Sequence, residues 1–192
     1  MELILIRHGL PEKRQTKDGK PADPPLSETG LEQASKMAFS LQNQKIDRIY
    51  SSPMQRAMQT AEPLAKLMNM EIEIEEGIAE FDQDSDVYIP VEQLKELDYE
   101  RWLKLMKGDT EVDFVDFANK VIQSIEKIVL DNRGKSVALA CHGGVINVWA
   151  AHVLRFNPRL FFNPNYTSIN RFMVASSGEK SLITLNEHTH LL

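Results

Sequence analysis

Twice in this chain a short apolar run passes, with no turn residue between, into a histidine followed by glycine: ELILIRHG at positions 2–9 and SVALACHGG at 136–144. Short apolar runs that do not alternate with polar residues describe strands covered on both faces, and such strands belong to parallel sheets lying under helices. Open α/β sheets place their ligand sites just outside the carboxyl ends of the strands. A cation and an imidazole at the end of a buried strand therefore point to a site there, since a buried charge without a partner is costly.

The segments between these runs fit the same plan. After the first strand, PEKRQTKDGKPADPPL is dense in Pro, Gly, Asp and Lys and reads as a loop. From Ser27, an expected N-cap, apolar residues recur at Leu31, Ala34, Met37, Ala38 and Leu41, the spacing of one helical face. Ile46 to Tyr50 reads as a second strand. A helix start follows, with Ser52 as N-cap, Pro53 in the first turn, Gln55 completing a capping box and a kink expected at Pro63. Glu71 to Glu75 alternates as a strand with one wet face. Two amphipathic helices are expected within 88–130, the second marked by Val115, Ala118, Val121, Ile122, Ile125 and Val129. A helix carrying Val145, Val148 and Trp149 follows the second strand-to-histidine run, and Arg171 to Ala175 and Leu182 to Leu185 close the sheet. The expectation is a three-layer α/β fold with a mostly parallel central sheet flanked by helices, in one domain spanning residues 1–192.

Charge narrows the function. Net charge is −6, and between Glu71 and Asp116 sixteen acidic residues face four basic ones. No basic run interleaved with aromatics suits a phosphate backbone, so nucleic acid is not an expected partner. The apolar start is too short for a membrane span or signal peptide, and a single cysteine, Cys141, makes no internal disulfide. The expected setting is the cytoplasm, with no membrane partner.

Three features end predicted strands: Arg7-His8-Gly9, Ser51-Ser52 leading to Arg56, and His142-Gly143-Gly144. Two imidazoles and two guanidinium groups in one crevice repel when all are charged, which favours neutral imidazoles or an anion between them. A phosphoryl group meets that requirement. Arg offers a planar fork to its oxygens, helix N-termini add N–H groups, and glycine after each histidine would let the backbone turn and approach the ligand. A neutral imidazole whose other nitrogen donates to a backbone acceptor can attack phosphorus.

These residues resemble the three signatures of the histidine phosphatase superfamily, also called phosphoglycerate mutase-like: Ile6-Arg7-His8-Gly9, Ser51-Ser52-Pro53-x-x-Arg56-Ala57-x-Gln59-Thr60-Ala61 and Cys141-His142-Gly143-Gly144. Pro25-Leu26-Ser27-x-x-Gly30-x-x-Gln33-Ala34 is similar to its first helix, and Leu185-Asn186-x-His188-x-x-Leu191 to its ending. The resemblance implies that His8 becomes phosphohistidine while Arg7, Arg56 and His142 grip the transferred oxygens. It implies that Glu80, with Asp82 as the alternative, protonates the leaving oxygen and then activates water, with no metal or cofactor. Gly143 and Arg14 are further candidates for substrate binding. The implied function is a phosphatase acting on a small phosphorylated substrate or a phosphoprotein. The alternatives are a phosphoglycerate mutase-type transferase, from whose usual Ser and Asn the chain departs at Pro11 and Arg14, and a catalytically silent phospholigand-binding module.

Other motifs carry less. A cysteine phosphatase needs an arginine six positions after its nucleophile, where Cys141 is followed by Asn147. Asp82-x-Asp84-x-Asp86 opens like a calcium loop, but Val87 and Gln93 replace the glycine and closing glutamate. The acidic stretch at about 82–116 is expected to be an insertion or lid over the crevice, where its carboxylates would disfavour polyphosphates.

Overall fold

The alternation of residues along two strands sets the layers. In strand β1 (Glu2–Arg7), Leu3 and Leu5 face one core cluster while Ile4 and Ile6 face another; in β6 (Ser136–Cys141), Val137, Leu139 and Cys141 part from Ala138 and Ala140 in the same way. The first cluster is closed by helices α5 (Phe114–Asp131) and α6 (Gly143–Leu154), the second by α1 (Glu28–Leu41) and α2 (Gln55–Met68). The result is a sheet between two helical layers. The computed structural model describes residues 1–106 and 114–192.

The sheet has six strands in the order β4-β3-β6-β1-β7-β8, with β3 at Arg48–Ser51, β4 at Ile72–Ile74, β7 at Ile169–Val174 and β8 at Lys180–Glu187. Strands β4, β3, β6 and β1 are mutually parallel, and the closing strands β7 and β8 run antiparallel. Three parallel neighbours, β3, β6 and β1, therefore end side by side. Their register aligns Arg7 with Cys141 and Ser51 with Ala140.

Several local expectations are corrected. Helix α2 begins at Gln55, later than the expected cap at Ser52; its N-cap residue is Met54, and the carboxylate of Asp23 accepts from the Gln55 N–H at 3.0 Å. Ser52 Oγ lies 2.8 Å from His142 Nε2 and accepts from the Met54 N–H at 3.3 Å, just before the helix. The loop after β1 contains a two-residue strand, β2 (Arg14–Gln15), paired antiparallel with β5 (Val87–Tyr88).

Among the described residues of 88–130 three helices occur where two were expected: α3 (Val91–Leu97), α4 (Tyr99–Met106) and α5. Asp98 ends α3 and accepts from the Arg101 N–H at 3.0 Å, which starts α4. On α5 the expected face is buried at Ala118, Val121, Ile125 and Val129 and widened by Phe117 and Ile128, while Val115 is 70% exposed.

Candidate active site

Each of the three strand ends hands its next residues to one place. The His8 N–H donates to Cys141 O at 2.9 Å and the Ser52 N–H to Ala140 O at 3.0 Å, so the sheet ladder continues into the site loops. The rings of His8 and His142 lie 5.2 Å apart between centroids, both deeply buried. A cavity of about 810 Å³ opens beside them, lined by Arg7, His8, Arg56, Glu80, Gly143 and Gly144 among others. Thus seven of the eight residues singled out by sequence, counting Asp82, gather here. Arg14 does not. It is exposed on β2, where Nη1 donates to Asp23 O at 2.9 Å, and it is not among the residues that line the cavity.

The protonation of the imidazoles follows from their surroundings. His8 Nδ1 lies 2.8 Å from the Gly9 carbonyl, an acceptor only, so Nδ1 carries the hydrogen and Nε2 keeps its lone pair. Burial, then Arg56 and Arg7, hold the His8 pKa well below its ordinary value. His142 is held low by burial first, then by Arg56, His8 and Arg7. Both rings are neutral at pH 7. His142 Nε2 shares a hydrogen bond with Ser52 Oγ at 2.8 Å, and its buried Nδ1 has no hydrogen-bond partner among the described residues.

The arginines are braced from behind. Arg7 donates to the Pro164 carbonyl and packs over the Tyr166 ring at 4.1 Å, and the same ring lies 5.8 Å from His8. Arg56 sits over Tyr88 at 4.6 Å and pairs with Asp82 at 2.9 Å. Burial opposes the charge of Arg56, but Asp82, Tyr88 and Glu80 outweigh it and raise its pKa.

Glu80 faces this cavity from the loop after the short turn Glu76–Ile78. Its Oε2 accepts from the Gly144 N–H at 2.8 Å and its Oε1 from the Phe81 N–H at 3.2 Å. Burial, then the charge of Asp82, push its pKa up to about 7, against the pull of the Gly144 N–H, Arg56 and the Phe81 N–H. Such a carboxyl can give and take a proton near neutrality.

Of the glycines that follow the histidines, Gly9 and Gly144 are required by closeness, whereas a Cβ on Gly143 would make only ordinary contacts at 3.8 Å and beyond. A Cβ on Gly144 would stand 2.2 Å from Glu80 Oε1, and one on Gly9 would stand 2.6 Å from the Gly30 carbonyl oxygen. Neither has a positive φ. The Cys141 thiol is buried, and burial first, then Glu80, push its pKa up, which suits packing and not nucleophilic attack. No group of three or more His, Cys, Asp or Glu side chains able to hold a metal ion occurs among the described residues.

Residues 3–188 match the histidine phosphatase superfamily, branch 1. The chain belongs to that superfamily. Phosphoserine phosphatase 1 of Hydrogenobacter thermophilus is 35% identical over 108 residues, an alignment that takes in 54% of this chain and 51% of that protein. A solved phosphoserine phosphatase mutant from Entamoeba histolytica, in complex with phosphoserine, is 26% identical with a TM-score of 0.78, covering 100% of this chain and 99% of the other. Mycobacterial glucosyl-3-phosphoglycerate phosphatase with VO3 shares the fold at 20% identity, with a TM-score of 0.78 over 96% of this chain and 98% of the other.

For a histidine phosphatase, part of the supporting shell escapes a reading by residue type. Gln33 accepts from the Leu10 N–H at 2.9 Å, Gln59 from the Leu26 N–H at 2.7 Å and Thr60 from the Gly9 N–H at 2.9 Å. All three stand in the quoted motifs, so the signal was present without a role attached to it. Tyr88 and Tyr166 carry no sequence signal. Of the acidic stretch, Asp82, Asp84, Tyr88, Leu94, Arg101 and Lys104 line the cavity, while its residues 107–113 lie outside the described ones.

Proposed function

We propose that this histidine phosphatase hydrolyses a phosphomonoester by passing the phosphoryl group through Nε2 of His8. The observation that carries the reading is the His8 Nδ1 contact to the Gly9 carbonyl at 2.8 Å, which leaves Nε2 as the nucleophile in a cavity shared with Arg7 and Arg56. In the first displacement the Nε2–P bond forms and the P–O bond to the leaving group breaks, the leaving oxygen taking the Glu80 proton. In the second, the Glu80 carboxylate removes a proton from water, the water oxygen bonds to phosphorus and the N–P bond breaks. Inorganic phosphate leaves, and Glu80 is protonated again.

Charge is handled by fixed groups. Arg7, Arg56 and the Gly143 start of α6 would meet the phosphoryl oxygens, with the unpaired His142 Nδ1 as a donor once the negative charge of the transition state favours its protonated form. Asp82 is the counter-ion of Arg56, which leaves the proton to Glu80. The solved and curated relatives act on small organic phosphates by their names, and we extend that class to this chain. The leaving group meets both signs of charge, since Asp84 lines the cavity along with Arg101 and Lys104 of α4. This weakens the expectation that the acidic stretch repels polyphosphates, and we retain only its role as a wall of the site. A cytoplasmic setting fits the lone buried Cys141, and no described helix is long and apolar enough to cross a membrane.

Phosphorus NMR with phosphoserine and with 3-phosphoglycerate as substrates separates the alternatives. The expected result is release of inorganic phosphate from at least one of them. Conversion of 3-phosphoglycerate to its 2-isomer without release would establish a transferase. Binding of both with turnover of neither, and none across a broader panel of monoesters, would establish a silent module.

A further inference from the structure

The guanidinium of Arg56 is paired within the protein at one of its three nitrogens. Nη2 donates to Asp82 Oδ1 at 2.9 Å, whereas the buried Nε and Nη1 have no hydrogen-bond partner among the described residues. Arg56 is 1% exposed and Asp82 27%, so the pair spans from the buried floor of the cavity to its mouth. Asp82 is not held there by Arg56 alone. Its carbonyl accepts from the Ser85 N–H at 2.9 Å, the Ser85 carbonyl accepts from the Ala22 N–H at 2.7 Å, and the Asp86 carbonyl accepts from the Thr16 N–H at 2.9 Å. The loop that carries the carboxylate is thus tied to the segment after β1.

We propose that Asp82 is a positioning residue with two opposed effects: it holds the Arg56 guanidinium in place at a cost in attraction for the phosphoryl group, and it sets a negative charge beside Glu80. The first effect follows from sharing. A fork neutralised at Nη2 keeps its place over Tyr88, yet attracts an incoming dianion less than an unshared one. The second follows from adjacency. Around the Glu80 carboxyl stand Asp82 from its own loop, Arg56 from α2 and the Cys141 thiol from β6, together with the N–H groups of Gly144 and Phe81. Of these, Asp82 is the group that favours the protonated acid, after burial itself, while Arg56 and the two N–H groups favour the carboxylate. His8 and His142, in the same cavity, are neutral and add no charge.

The inference rests on the roles given above to His8, Arg56 and Glu80, and Asp82→Asn tests it apart from them. Calorimetric titration with inorganic phosphate reads the first effect, and the pH dependence of kcat with glycerol 2-phosphate, whose alkoxide leaving group needs a proton, reads the second. Asp82→Asn is expected to bind phosphate about two- to fivefold more tightly, the size of one partly exposed charge pair. Its rate with glycerol 2-phosphate is expected to fall off at lower pH than in the wild type. With p-nitrophenyl phosphate, whose leaving group departs without a proton, that displacement should be absent. Asp82→Glu should restore wild-type behaviour in both readouts. Weaker or unchanged phosphate binding, or an unmoved alkaline limb, overturns the inference. Asp82→Ser repeats both measurements if thermal unfolding shows the Asn variant to be damaged. Turnover that survives His8→Ala would overturn the phosphohistidine reading and this inference with it. Intact His8 dependence with no effect of Asp82→Asn overturns this inference alone.

Discussion

A methyl group on Gly144 would lie 2.2 Å from Glu80 Oε1 and 3.0 Å from its carboxyl carbon, closer than real contacts allow, so Gly144→Ala must displace the proposed acid. We expect kcat to fall about tenfold or more with alkyl phosphates, as when a general acid is misplaced, and much less with p-nitrophenyl phosphate. Steady-state kinetics on the two substrates checks it. At this scale the candidate site residues were legible for two reasons: Arg7, His8 and His142 stand at the ends of buried strands, and Arg56 and Glu80 stand at positions that the family resemblance marks. His8, His142, Arg7, Arg56 and Glu80 were named from sequence and lie around one cavity. Arg14 was not separable from them, since nothing in its local sequence shows that its guanidinium is taken by the Asp23 carbonyl. Nor was the purpose of the glycines, because a missing Cβ is explained only by the atom that would meet it.

Helix α2 carries Arg56 in its first turn, and its start decides where that guanidinium points. The Asp23 carboxylate receives the Gln55 N–H through both oxygens at 3.0 Å, satisfying one of the donors a helix start leaves without an internal partner. Asp23→Ala should cost about 1 kcal/mol of stability, the usual loss of a helix cap, measured by urea unfolding. A rise in KM without a matching fall in kcat would follow if the freed end loosens substrate grip. Long elements were legible from periodicity: the buried apolar runs became β1 and β6, and the spacing from Ser27 became α1, with Ser27 Oγ accepting from the Gly30 N–H. Short ones were not. Two-residue strands have no period, the break between α3 and α4 rests on Asp98 alone, and a cap supplied from another loop is invisible to local sequence.

Across the whole molecule, the site is bought with stability that depends on pH. The unfolded Glu80 ionises above about 4.5, whereas the folded carboxyl holds its proton up to about 7, so its contribution falls as pH rises between those values. Glu80→Gln has no such loss and should exceed the wild type by on the order of 3 kcal/mol at pH 8, with the gap closing towards pH 4.5, in denaturant unfolding at each pH. His8 and His142 act from the other side. Their folded pKa values lie below 6.5, so stability present above 6.5 is lost as pH falls and the unfolded chain takes up protons the fold excludes. In the proposed mechanism these costs follow from the need for neutral imidazoles and a protonated carboxyl beside two guanidinium groups, all serving transfer through one nitrogen. The direct test is to quench the enzyme within milliseconds of adding a labelled phosphomonoester and to map the label by mass spectrometry under alkaline conditions that preserve phosphohistidine. Label on His8, absent from His8→Ala and turned over as fast as phosphate appears, is the predicted result. Label on another residue, or undiminished turnover in His8→Ala, would contradict the account.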